Sequence, residues 1–141
     1  MFKKIIFTLV ILNLNAFASD INWAKDYHTG IKQAKKQNKP IMFIFSNQHC
    51  KWCNVLENTT FKNEKVIKAL NKDFISIISY TNKQDYTPKE LWRPGTPAIW
   101  FLKKDGAPMF DAINGAIDDK TMIKSLSIVK TRFDRINNDS K

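Results

Sequence analysis

Two cysteines, Cys50 and Cys53, follow almost directly after the continuous apolar run Ile41-Met42-Phe43-Ile44-Phe45. That conjunction constrains the fold more than any other feature of the chain. The run is bounded by Pro40 and by Ser46-Asn47 and shows no polar alternation, the pattern of a central strand buried on both faces. Such a strand needs a layer of helices on each side. Only Ser46 to His49 separate it from Cys50, so the cysteines open the next element. Val55 and Leu56 continue that element as a helix.

A bridge between Cys50 and Cys53 closes a very short loop and removes little entropy from the unfolded chain. As a staple the pair is poor; as a reagent it is well placed. The first turn of a helix leaves backbone N–H groups without partners, and the helix dipole puts partial positive charge there. Both favour a thiolate at Cys50, and the positive charge of Lys51 acts in the same direction. Cys50, on the loop side, is expected to be the attacking sulfur, and Cys53, one turn in, the resolving one. Other uses of the pair stay open. Zinc wants about four ligands and would need His28 and His49 as well as both cysteines. Copper would take Cys50, Cys53 and a histidine, and an inert disulfide is a third use.

The rest of the chain supplies elements for a layered domain. Trp23, Tyr27, Ile31 and Ala34 recur at helical spacing, and Lys35–Asn38 with Pro40 ends that helix. Val66, Ile67 and Leu70 form a further helix after a break near Thr60–Asn63, and Phe74–Ser79 reads as a second strand. Within the polar stretch Asn82 to Gly95, Thr87-Pro88-Lys89-Glu90 has the form of a capped helix start. Ala98–Leu102 and Met109–Ile113 flank Lys104-Asp105-Gly106, a hairpin turn signal. Met122, Leu126, Val129, Phe133 and Ile136 line one face of a terminal helix. The expected architecture is α/β, a central mixed β-sheet flanked by helices on both faces.

The N-terminus reads differently. Lys3 and Lys4 precede an apolar run from Ile5 to Leu14, and Ala16-Phe17-Ala18 is a small-x-small cleavage signal. This is the pattern of a secretory signal peptide, residues 1–18, cut after Ala18, with a folded domain over residues 19–141. The apolar run is shorter than the roughly 20 residues of a membrane span. The expected location is therefore the periplasm. The formal charge of +10 falls to +8 once Lys3 and Lys4 are removed. The lysines are scattered along the chain, which argues against a nucleic-acid partner and for a broad attraction to acidic surfaces. No cofactor is expected, and the chain is expected to be a monomer.

Thr96-Pro97, immediately before the apolar run Ala98-Ile99-Trp100-Phe101, is the second informative site, since proline is tolerated at a strand's first residue. A strand followed by Cys-x-x-Cys, a later Thr-Pro ahead of a hairpin, and a terminal amphipathic helix together resemble the thioredoxin superfamily over nearly the whole of residues 19–141. The pattern is most similar to the C-terminal periplasmic domain of the thiol:disulfide interchange protein DsbD and to small thioredoxin-like proteins with Cys-x-Trp-Cys. The stretch from Cys50 through Glu57 to Thr60-Phe61 carries this likeness. The resemblance implies the thioredoxin fold, a cis Pro97 against the cysteines, and a Thr96 backbone that pairs with a substrate peptide. It also implies a Cys50–Cys53 disulfide that cycles, disulfide- or thiol-bearing protein substrates, and a membrane electron donor or acceptor of the DsbD type. The glutamate that matches Glu57 sits near the cysteines in that domain and influences their acidity. Two departures stand out: Ile44 replaces the buried acid of ordinary thioredoxins, and His49 replaces the tryptophan before the first cysteine. Glu57 and His49 are thus candidates for moving the Cys53 proton, and Trp52 is expected to form an apolar rim for docking.

Overall fold

The computed structural model describes residues 20–139. The expected signal segment 1–18 and its cleavage before Ser19 lie outside the described residues. Four strands, β1 (Ile41–Ser46), β2 (Ile75–Tyr80), β3 (Ala98–Leu102) and β4 (Ile113–Asn114), form one sheet in the order β2-β1-β3-β4. β1 and β2 run parallel, with Ile41 opposite Ile75 and Ser46 opposite Tyr80. β3 is antiparallel to β1 and to β4. Every residue of β1 is buried, as the apolar run Ile41–Phe45 requires, and the polar Ser46 at its end is buried with them.

Alternate β1 side chains feed two separate cores. Met42 and Ile44 join Leu56, Val66, Leu70, Phe101, Met122 and Leu126. These come from α2 (Lys51–Asn58), α3 (Glu64–Asp73), α4 (Asp119–Asp139) and β3. Ile41, Phe43 and Phe45 face the other way, toward Ala34 of α1 (Tyr27–Gln37) and toward Leu91, Trp100 and Leu102. At Gly30, α1 crosses β2 so closely that a Cβ would stand 2.4 Å from Ile77 Cδ1. The break between α2 and α3 is a 3₁₀ turn, Thr60–Lys62, followed by the Asn63 cap. On α4, Met122, Leu126, Val129 and Phe133 are buried, and Ile136 is partly buried.

Three expectations need correction. The first helix begins at Tyr27, after the Asp26 cap whose carboxylate accepts the Thr29 N–H. Trp23 is not on that helix: it makes a parallel bridge with Ser76 at the edge of β2. Its ring packs on Phe61, in the opposite core from Ala34. A spacing match cannot see that Trp23 packs on one core and Ala24 already on the other, on either side of the sheet edge.

The start expected at Thr87-Pro88 yields only a 3₁₀ turn, Lys89–Leu91, with no side-chain cap. Pro94 and Pro97 follow within one or two turns and leave no room for a helix. The strand expected at Met109–Ile113 is reduced to Ile113–Asn114. The turn itself forms, with Gly106 at φ +91 and its N–H on the Lys103 carbonyl. Leu102 pairs with Pro108 but Ile99 pairs with Ile113, so the returning strand carries extra residues that bulge out around the exposed Phe110.

Candidate active site

β1 ends at Ser46, and the loop from Asn47 to His49 delivers Cys50 to the start of α2. Cys50 is the N-cap, and its Sγ accepts the Cys53 N–H at 3.2 Å. One orphan donor of the helix is thereby spent on the sulfur, the arrangement that stabilises a thiolate. Cys50 and Cys53 are at disulfide distance, with Cα atoms 5.2 Å apart. Their exposure is unequal: Cys50 is partly buried and Cys53 fully buried.

The Thr96–Pro97 peptide is cis, as the resemblance implies. Its position at the head of β3 brings the Thr96 carbonyl oxygen to 3.3 Å from Cys50 Sγ. A Cys50 thiol can donate to that oxygen, whereas a thiolate meets it unfavourably. The carbonyl and the Cys53 amide therefore pull the acidity of Cys50 in opposite directions.

Two neighbouring loops fasten the stretch ahead of Cys50. Asn47 donates to Thr81 Oγ1 at 2.8 Å and accepts the His49 N–H at 2.8 Å. Asn82 accepts the Gln48 N–H at 2.9 Å and donates to Gln48 Oε1 at 3.1 Å. His49 itself is exposed, and its tie is through its backbone. The Lys51 ammonium lies 5.2 Å from the centroid of the Trp52 ring, and Trp52 is 56% exposed.

Glu57, one turn beyond Cys53 on α2, is half-buried. The Tyr80 hydroxyl donates to its Oε1, and the buried Ser46 hydroxyl donates to its Oε2 at 3.4 Å. Burial first, then the bond to Glu57, push the Tyr80 phenol far above its ordinary range, so Tyr80 stays the donor. Ile44 is fully buried among apolar neighbours, and the carboxylate near the pair comes from the helix.

Sequence reasoning missed Tyr80, Ser46, Asn82 and Thr81. The signal for two of them is register: once β1 and β2 are paired in parallel, Ser46 and Tyr80 fall side by side. The two histidines lie apart from any ligand set. His28, on α1, stacks on Tyr86 at 4.6 Å between ring centroids. Among the described residues no three His, Cys, Asp or Glu side chains gather as a metal-binding group.

A cysteine capping the helix that follows the central strand, with a cis-proline carbonyl against it, places the molecule in the class of thioredoxin-like oxidoreductase folds. Solved structures agree on the fold. A thioredoxin from Thermus thermophilus superposes with TM-score 0.66 at 19% identity, covering 78% of this chain and 87% of that one. A DsbH oxidoreductase gives 0.60 at 14% identity, covering 82% and 88%. The oxidised C-terminal domain of DsbD from Neisseria meningitidis gives 0.56 at 20%, covering 71% and 89%.

Residues 11–139 match the family model Thioredox_DsbH, described as a protein of unknown function, DUF255. The chain belongs to that family. Among curated proteins, mouse anterior gradient protein 3 is 30% identical over 80 residues, 55% of this chain and 48% of that protein. Rat spermatogenesis-associated protein 20 is 33% identical over 58 residues, 41% of this chain and 7% of that protein. The chain thus spans about half or less of the length of these relatives.

Proposed function

We propose that this protein is an exported, periplasmic thiol:disulfide reductase that exchanges disulfides with protein partners through Cys50 and Cys53. The observation that carries the reading is the pairing of a partly buried sulfur at a helix N-terminus with a fully buried one a turn inside, beside the Thr96 carbonyl. In the reducing direction the Cys50 thiolate attacks a substrate disulfide. An S–S bond forms to Cys50, and one substrate sulfur leaves as a thiolate and takes up a proton. Cys53 then loses its proton to Glu57 and attacks Cys50 Sγ. The Cys50–Cys53 bond forms, the mixed disulfide breaks, and the second substrate sulfur departs reduced. The pair ends oxidised and draws two electrons from a membrane donor of the DsbD type. The Thr96 backbone, just ahead of β3, would pair with the substrate peptide at the point of attack.

Reductase rather than oxidase is favoured by the DsbD-like stretch from Cys50 to Phe61. The equilibrium potential against glutathione is the deciding measurement. Cysteine pairs in this fold run from about −270 to −120 mV. A value near the lower end supports a reductase; one near the upper end reverses the direction. Cys53→Ala should accumulate mixed disulfides with substrates while Cys50→Ala yields none, and equal trapping by both variants refutes the roles given. Export predicts a mature protein that begins at Ser19, read by intact mass of periplasm-extracted material. Retention of Met1–Ala18 contradicts it.

A further inference from the structure

Tyr80 ends β2 beside Ser46 of β1, and both hydroxyls converge on one carboxylate. Oε1 of Glu57 takes the Tyr80 hydroxyl and Oε2 the longer bond from Ser46. The Tyr80 ring is itself covered, with Lys83 Nζ 4.9 Å from its centroid. On its other side Glu57 lines a surface cavity of about 220 Å³ with Asp20, Trp23, Asn58 and Lys62. Asp20 and Lys62 form a 2.8 Å ion pair at its mouth, both largely exposed. One carboxylate therefore has two fixed donors behind it, a resolving cysteine one helical turn away, and an opening to water. A glutamate side chain left to itself samples several rotamers. This one is tied at both oxygens, and the tie on Oε2 is the weaker.

We propose that Tyr80 is a positioning residue for disulfide exchange: its hydroxyl holds Glu57 so that Oε2 accepts the Cys53 proton, and the cavity beside Asp20 and Lys62 hands that proton to water. This rests on the reading of Glu57 given above. When Cys53 Sγ–H gives its proton to Glu57, the sulfur pair of electrons forms the bond to Cys50. The Cys50–substrate bond breaks, and its electrons leave on the substrate sulfur. Glu57 then loses the proton through the cavity and is ready for another turnover. Tyr80 gives up no proton in the cycle, because burial and the neighbouring charges of Glu57 and Asp85 keep its phenol protonated. The charged or titratable groups around Glu57 are Tyr80 from β2, Cys53 from its own helix, Lys62 from the 3₁₀ turn and Asp20 from the N-terminal segment. Lys83 and Asp85 stand behind Tyr80.

The test is the pH dependence of mixed-disulfide resolution. The reduced full mature chain is mixed rapidly with glutathione disulfide, and formation and then release of the mixed disulfide at Cys50 are followed in a single turnover from pH 4 to pH 9. Tyr80→Phe keeps the ring under Lys83 and removes only the hydroxyl. A carboxylate that loses a donor takes up a proton more readily. The acid limb should therefore move up in pH, and release on the plateau above it should slow several-fold because the carboxylate is no longer held in place. Fluorotyrosine at position 80 keeps the shape and strengthens the donor, so it should move the limb the other way. Glu57→Gln should abolish the limb, and Tyr80→Phe added to Glu57→Gln should change nothing more.

A limb that vanishes in Glu57→Gln but stays put in Tyr80→Phe and with fluorotyrosine overturns the role of Tyr80 alone. A wild-type limb in Glu57→Gln overturns Glu57 as acceptor, and Tyr80 with it. An undiminished Tyr80→Phe effect in the Glu57→Gln background also overturns the proposal, because Tyr80 would then act elsewhere.

Discussion

Trp52 lies between the two cysteines in sequence and yet is 56% exposed, while its neighbour Cys53 has no exposure at all. A helix explains the contrast, since successive residues point about 100° apart and the core takes only one face. A large aromatic left in water next to a reactive sulfur is suited to docking, because aromatic side chains supply much of the contact at interfaces. Lys51 packs its ammonium on the ring and holds it at the rim. Trp52→Ala should change stability by no more than about 0.5 kcal/mol, as at other exposed positions without special contacts. It should slow reduction of a disulfide-bonded protein several-fold and leave reaction with glutathione disulfide unchanged. Equal slowing of both substrates would place Trp52 in the chemistry and not in docking. The cysteines and Pro97 were legible in the sequence because their chemistry is local: the spacing of two, and a proline at a strand's head. The partners of Glu57 were not, because Ser46 and Tyr80 reach it only through strand pairing.

At the scale of elements, the legible ones were those with a single strong period. β1 up to its last residue, Ser46, and β3 along its whole length are apolar, and both strands are buried throughout. α4 keeps its apolar positions on one side for its whole length. The elements misread lie where two local signals compete. Thr87-Pro88-Lys89-Glu90 has a good cap sequence, but nucleating a helix is costly and needs length to repay it. The prolines at 94 and 97 deny that length. The segment still covers the α1 face of the sheet: Leu91 is fully buried, and its carbonyl accepts the Trp100 indole N–H at 2.9 Å. A 3₁₀ turn thus closes the second core, with Leu91 as its plug. Leu91→Ala should cost about 2–5 kcal/mol, the usual range for emptying such a site, measured as a lower urea midpoint at unchanged slope. A loss under about 0.5 kcal/mol would mean that the segment lies on the sheet without closing it.

For the molecule as a whole, the redox state of one pair and the stability of the fold are linked by a thermodynamic cycle. If the folded protein favours the Cys50–Cys53 disulfide more than an unfolded chain does, the pair resists oxidising others, and the oxidised form is the more stable. If it favours the dithiol, the pair is an oxidant, and the reduced form is the more stable. The two local influences on Cys50 oppose one another. The Cys53 amide stabilises a thiolate, whereas the Thr96 carbonyl at 3.3 Å disfavours a thiolate but accepts from a thiol, a hydrogen bond that a disulfide cannot make. The proposed direction of electron flow therefore rests on the DsbD-like stretch from Cys50 to Phe61, and the linkage tests it. The expected outcome is that reduction lowers the unfolding midpoint in urea. About 1.4 kcal/mol of lost stability corresponds to each 30 mV by which the folded pair lies below the unfolded one. Matched denaturation curves of the mature chain with and without a dithiol reductant read this directly. If the reduced protein is the more stable, the pair drives oxidation of its partners, and the electron flow proposed here runs the other way.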